Sequence, residues 1–202
     1  MVKNCVIFGA GDYFGDESVP QDSFVIAADG GIDICIKKGI KPDLIIGDFD
    51  SLGRIPEDKN TIILPKIKDD TDMIAAVKEG LKQKCKVFYL YGGTGGRVSH
   101  TLANIDTLEY IEKRGAIGYL NDREEVLTVT SKGVNLDKNY KGYISVFAKG
   151  GDALISESGL KYELNKKLIT SSFPLGVSNE FTGKKSSITV HSGTVLIVIE
   201  KQ

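Results

Sequence analysis

Short continuous apolar runs alternate with stretches of helical period over roughly the first 120 residues, the pattern of βα units around a mostly parallel sheet. The runs Val2–Phe8, Phe24–Ala28, Asp43–Ile46, Thr61–Leu64, Lys86–Tyr91 and Ala116–Leu120 are apolar along their length, as strands covered on both faces are. Between them the spacing predicts helices over Ile32–Lys38, Asp72–Lys84 and Ser99–Arg114. In the second, Met73, Ile74, Val77 and Leu81 fall on one stripe; in the third, Leu102, Ile105, Leu108 and Ile111 do. Gly39 and Gly115 stand where helix C-caps belong.

After Asn121-Asp122-Arg123-Glu124 the helical period disappears, and short β-type runs recur every ~8–12 residues between turns rich in Gly, Asn, Asp and Ser. Candidate strands are Glu125–Thr130, Tyr143–Ala148, Ala153–Glu157, Tyr162–Leu164, Leu168–Ile169, Gly176–Ser178, Ser187–His191 and Val195–Glu200. The last is apolar enough to be central and buried on both sides. The expected architecture is a Rossmann-like α/β domain over residues 1–122 with a mostly parallel sheet, then a smaller all-β, jelly-roll-like sandwich over 123–202.

Composition narrows the function. Lys and Arg number 26 against 27 Asp and Glu, for a net charge of -1, which removes the bulk electrostatic case for a nucleic-acid binder. The N-terminal apolar run is too short for a signal peptide and no segment reaches the ~18 apolar residues of a membrane span, so a cytoplasmic protein is expected. Cys5, Cys35 and Cys85 are odd in number and widely spaced, and read as buried small hydrophobes. With His100 and His191 the only histidines, any bound metal is expected to have oxygen ligands.

In an open α/β sheet, ligands bind beyond the carboxyl ends of the strands. The segments there begin Gly9-Ala10-Gly11-Asp12, Asp29-Gly30-Gly31, Gly47-Asp48-Phe49-Asp50-Ser51, Pro65 through Asp72, and Gly92-Gly93-Thr94-Gly95-Gly96-Arg97. In extended backbone Asp48 and Asp50 point the same way, a spacing one hard cation bridges. Asp69, Asp70 and Asp72 add three carboxylates; helix capping by Thr71 or Asp70 explains one or two of these, and a magnesium site explains the set, with a solvated loop as the alternative. The Gly92–Arg97 loop, between strand and helix, suits phosphate, with Arg97 as a charged partner; the alternative is a tight turn. It is no Walker A loop, and Gly9-Ala10-Gly11 with Gly15 misses the dinucleotide spacing. Phosphoryl or nucleotidyl transfer therefore ranks above hydride transfer.

These segments, together with Lys41-Pro42-Asp43, the continuation of the last loop so that Gly93 through Asn104 is included, and Ser178-Asn179, resemble thiamine pyrophosphokinase over nearly the whole chain. The resemblance implies transfer of pyrophosphate from Mg-ATP to the hydroxyethyl group of thiamine, giving thiamine diphosphate and AMP. It implies Mg²⁺ on Asp48, Asp50 and Asp72. It places ATP against Asp29, Gly30, Asp50, Ser51, Lys68, Thr71, Asp72, Gly93, Thr94 and Arg97, with Arg97 counted among the catalytic residues beside the three aspartates. Thiamine would meet Asp48, Ser99, His100, Ser178, Asn179 and Phe181, in a homodimer whose active site lies at the subunit interface. Taken alone, the Ser178–Phe181 stretch reads as a β-turn with a core aromatic. Two departures stand out: Ser99 occupies the place of a family aspartate, where it can cap the helix, and the chain has no Trp for the final strand. The alternatives are a thiamine or nucleotide sensor that has lost turnover and a pyrophosphokinase for another hydroxyl.

Overall fold

A computed structural model describes residues 3–201 except 16, 51, 57, 66 and 68. The chain divides into two compact units, Met1–Arg123 and Glu124–Gln202.

The first unit runs β1 (Asn4–Phe8), β2 (Phe24–Ala28), α1 (Gly31–Lys38), β3 (Leu44–Gly47), β4 (Thr61–Ile63), α2 (Asp72–Lys82), β5 (Val87–Tyr91), α3 (Val98–Glu112) and β6 (Ile117–Asn121). The strands lie in the order β6-β5-β1-β2-β3-β4, every pairing parallel. The chain lays down β1 to β4 in one direction, then returns to place β5 on the other side of β1. That reversal opens a crevice between the carboxyl ends of β1 and β5. The continuous apolar runs are central strands: Val6, Ile7 and Phe8 of β1 are fully buried, as are Phe88 and Leu90 of β5. All three cysteines are buried free thiols.

Two helical stripes differ from the periodicity expectation. On α2 the residues against the sheet include Ala76, Val77 and Gly80, and Ile74 and Leu81 are half-buried. The helix sits so close that a Cβ on Gly80 would lie 2.6 Å from the Phe88 ring and 2.8 Å from Cys5 Sγ; small residues permit the approach. On α3 the buried side is Asn104, Thr107, Leu108 and Ile111, and Leu102 is 58% exposed. A polar residue turned inward rotates this helix away from its most apolar face. Gly39 caps α1 in left-handed backbone, with φ 66°, and Gly115 has φ 68° just beyond α3.

The second unit is a sandwich of β7 (Glu125–Thr130), β8 (Gly133–Leu136), β9 (Tyr143–Ala148), β10 (Ala153–Ser158), β11 (Leu164–Ile169), β12 (Gly176–Glu180), β13 (Ser186–Ser192) and β14 (Val195–Glu200). One sheet has the order β12-β9-β14-β7 and the other β11-β10-β13-β8, with antiparallel pairing throughout. Ile144, Val146, Ile155, Ile169, Ile188, Val195 and Ile197 form the core between them. Strand β14 is central, as its composition requires, but Leu196, Val198 and Ile199 are only half-buried, so one face carries most of the packing. Tyr162 lies outside any strand, and Leu164 and Leu168–Ile169 belong to one strand, β11. Strand β8 was not among the expected elements, because Gly133-Val134-Asn135-Leu136 offers only two apolar side chains and acquires its ladder from β13. No helix among the described residues is long and apolar enough to cross a membrane.

Candidate active site

A cavity of about 470 Å³ opens at the carboxyl edge of β1 and β5. Its floor is Gly9, Ala10 and Gly11 from the loop after β1 together with Gly92 through Arg97 after β5; Asp29, the first turn of α2 and His100 and Asn104 of α3 complete it. The two glycine loops are joined by backbone hydrogen bonds from Gly9 N to Tyr91 O (2.8 Å), Gly11 N to Gly92 O (2.8 Å) and Asp12 N to Thr94 O (3.1 Å). This zipper explains most of the glycines. A Cβ on Gly11 would lie 2.5 Å from Thr94 O, and one on Gly9 2.8 Å from Gly92 O. Close packing of backbone on backbone, rather than flexibility, is what these positions demand.

The side chains around that floor are themselves fixed. Thr71 caps α2, its hydroxyl accepting from Ile74 N at 3.3 Å, so the capping expectation holds for Thr71, and Asp70 instead pairs with Lys78. Asp72 follows in the first turn, where a carboxylate favours the positive end of the helix. Arg97 is the N-cap residue of α3 without a side-chain cap bond. Its Nη2 is within hydrogen-bond reach of His100 Nε2. Ser99 is an exposed residue one position inside α3 and does not cap it. Thr94, 4% exposed, donates its hydroxyl to Asp122 Oδ1 at 2.7 Å.

Of the candidate nucleotide residues, Asp29, Thr71, Asp72, Gly93, Thr94 and Arg97 line this cavity, as does His100; Gly30, Asp48, Asp50 and Ser99 do not. Ser51 and Lys68 lie outside the described residues. The Asp48-Phe49-Asp50 segment is not extended as its spacing suggests: Phe49 is buried with φ 57°, and Asp48 Oδ1 accepts from Asp50 N at 3.3 Å. The aromatic ring is pulled into the core beneath β2 and β3, and the chain turns left-handed to deliver it. Among the described residues, no group of three or more His, Cys, Asp or Glu side chains is already gathered as a metal cage. The oxygen donors that Asp48, Asp50 and Asp72 supply nonetheless suit Mg²⁺, which takes one or two carboxylates and completes its shell with water and substrate phosphates.

In the second unit Asn179 is buried, and its side chain is engaged on every side. Nδ2 donates to Glu157 Oε2 (2.6 Å) and Tyr162 O (2.7 Å), and Oδ1 accepts from Tyr162 N and Glu180 N. Phe181 packs against the sandwich core with its ring centroid 5.5 Å from that of Tyr140. Ser178 is exposed in left-handed backbone, φ 57°, and its N–H donates to Ser145 Oγ. Tyr13 and Asn104, on either side of the first unit's glycine floor, were absent from the candidate residues. The signal for Asn104 is that it ends the Gly93–Asn104 stretch that carries the family resemblance.

A parallel α/β unit with a glycine-floored cavity at its switch point belongs to the class of α/β folds that take ligands at the carboxyl edge of the sheet. Residues 16–118 match the family model described as "Thiamin pyrophosphokinase, catalytic domain", and residues 117–195 match "Thiamin pyrophosphokinase, vitamin B1 binding domain". The chain belongs to the thiamin pyrophosphokinase family, a family of enzymes. It is 29% identical over 190 residues to thiamin pyrophosphokinase 1 of Caenorhabditis elegans, covering 85% of this chain and 76% of that one. It is 28% identical over 183 residues to thiamine pyrophosphokinase of Bacillus subtilis, covering 86% and 85%. The crystal structure of thiamine pyrophosphokinase from Bacillus subtilis superposes with a TM-score of 0.87 over 99% of both chains at 24% identity. That of thiamin pyrophosphokinase from Candida albicans does so at 0.80 over 100% of this chain and 90% of the other, at 15% identity. These two likenesses bear on the fold.

Proposed function

We infer that this chain transfers the pyrophosphoryl group of ATP to the hydroxyethyl group of thiamine, releasing AMP, and that the cavity between β1 and β5 receives the nucleotide's phosphates. The observation that carries it is the cavity's make-up in a chain whose halves match the family's catalytic and vitamin B1-binding models: a preformed glycine floor, a helix N-terminus at Thr71 and Asp72, and Arg97 at the rim. Backbone N–H groups and a helix N-terminus favour bound anions. Arg97 contributes a charge-assisted contact that strengthens as charge develops on the transferred group.

Asp72, with Asp50 and Asp48, would hold Mg²⁺, which when bound neutralises phosphate charge. In-line attack by the thiamine hydroxyl on the β-phosphorus forms the new O–P bond as the bond to the α-phosphate oxygen breaks. The hydroxyl proton passes to one of these aspartates or to solvent, and AMP leaves. Most of the rate then comes from positioning and charge compensation. Ser178, Asn179 and Phe181 are carried as the thiamine contacts of the second unit, with Ser178 the most accessible of them. Ser99 and His100, and Asp48, are carried likewise, and the working form as a homodimer.

The test is to incubate the protein with Mg-ATP and thiamine and follow AMP and thiamine diphosphate together by chromatography. Equimolar formation of both, lost in Asp72→Asn, is expected. Formation of ADP would identify a different phosphoryl transfer. Thiamine binding without any product would point to a sensor, and Ser99→Asp would then be the variant to assay.

A further inference from the structure

Four consecutive or facing peptide planes in the cavity floor are held by their carbonyl oxygens. Gly92 O accepts from Gly11 N, and Thr94 O from Asp12 N. The other two are held by side chains: Gly93 O accepts from Asn104 Nδ2 at 2.6 Å, and Gly9 O accepts from Tyr13 Oη. No peptide bond is cis among the described residues, and across a trans peptide the N–H points opposite to the C=O. Each anchored carbonyl therefore turns the next residue's N–H the other way. The groups so oriented belong to Gly93, Thr94, Gly95 and Ala10, all of which line the cavity. None of the four donates to a described residue.

Both side-chain anchors are braced. Asn104 is 7% exposed on the buried side of α3, beneath Gly93, where a Cβ would lie 3.2 Å from its Nδ2. Tyr13 stacks on Phe8 with centroids 6.3 Å apart, and its hydroxyl fills the space a Cβ on Gly92 would need, 2.6 Å away. The segment after Tyr13 is tied down in turn: Glu17 pairs with Lys38 of α1, and Ser18 N donates to Tyr91 Oη at 3.2 Å.

We propose that Asn104 and Tyr13 are positioning residues for the phosphate chain, acting through the Gly93 and Gly9 carbonyls to aim the N–H groups of Thr94 and Ala10 at its oxygens, an assignment that rests on the phosphate site inferred above. With either anchor gone, its peptide plane is free to rotate, and one donor is lost from the array without any change in net charge.

The experiment compares wild type, Tyr13→Phe and Asn104→Ala by calorimetric titration with inorganic tripolyphosphate, AMP and thiamine, alongside thermal melts and KM for both substrates. Each variant should bind tripolyphosphate about tenfold more weakly, the equivalent of one net hydrogen bond. KM for ATP should rise in parallel, and AMP binding and KM for thiamine should stay within about twofold. Equal tripolyphosphate affinity in wild type and both variants would overturn the positioning role and leave the phosphate site standing. Uniform loss of all three ligands with a lowered melting temperature would show a purely structural role and overturn it as well. A wild-type protein that binds no tripolyphosphate would overturn the phosphate site itself and the inference with it.

Discussion

Thr94 and Asp122 are joined by a 2.7 Å hydrogen bond that ties the glycine-rich loop after β5 to the end of β6. The Thr94 hydroxyl is thereby a structural anchor of the cavity floor. Thr94→Val keeps the shape and removes the donor, so it should cost about 1–2 kcal/mol in urea unfolding, and Thr94→Ser should recover most of it. An unchanged unfolding midpoint in Thr94→Val, with only KM for ATP raised, would show the hydroxyl to be a ligand contact instead.

Gly11 and Gly96 should respond to alanine for different reasons. At Gly11 the new Cβ meets Thr94 O at 2.5 Å and Gly92 O at 2.6 Å, both backbone, so the two loops must separate. A loss of about 1–3 kcal/mol is expected, together with activity. At Gly96 no atom of the described residues lies within 4 Å of the new Cβ, and the cost is that of a left-handed φ of 59°, about 1–2 kcal/mol. Urea unfolding and turnover of both variants check this: equal loss of activity in the two would contradict a role specific to loop packing.

Burial opposes a charge on Glu17, but the Lys38 ammonium and the N–H groups of Gly15 and Phe14 outweigh it and hold the carboxyl down at about 2, from an ordinary 4.5. The folded state thus favours the carboxylate. Its stabilisation is present in full above the ordinary value and disappears as pH falls from there through about 2. Glu17→Gln should be less stable than wild type at pH 7, and the two should converge near pH 2. A gap that stays constant in melts across that range would refute the ion pair's contribution.

Glu157 has the opposite sign. Burial in the sandwich raises its pKa, the bond from Asn179 only partly opposes this, and Oε1 has no hydrogen-bond partner among the described residues. Stability from the neutral acid is complete below the ordinary carboxyl value and is lost as pH rises through the raised one. Glu157→Gln, which is never charged, should gain on wild type as pH increases from 4 toward 8. Thermal melts at several pH values measure the gain, and parallel curves for the two proteins would contradict it.

Periodicity located the elements where local pattern and tertiary demand agree. The parallel strands are buried on both faces, so apolarity alone marks them, and the positions of the loops at the sheet's carboxyl edge follow from strand order. Agreement fails in part at α3, where Leu108 and Ile111 of the expected apolar stripe are buried but Leu102 is exposed and Asn104 and Thr107 turn inward in its place. Asn104 is turned inward onto the Gly93 carbonyl of the loop that leads into the helix, which no helical period encodes. It fails again at Phe49, whose ring seeks the core and so breaks the extended spacing of the flanking aspartates.

The sequence by itself determined the alternation of strand and helix, the change to an all-β unit near residue 123, and the family-bearing motifs, because these are written in contiguous residues of fixed spacing. Only the tertiary structure decided that the glycines of two distant loops face each other as a zipper, that Asn179 is held within its own sandwich, and that Asn104 and Tyr13 donate to carbonyls of the cavity floor. The zipper joins residues about 80 positions apart in the chain, which come within a hydrogen bond's reach only when the sheet assembles and brings β1 and β5 side by side. The side-chain contacts depend on which way each residue is turned by the packing around it, and that too is decided only in the folded chain.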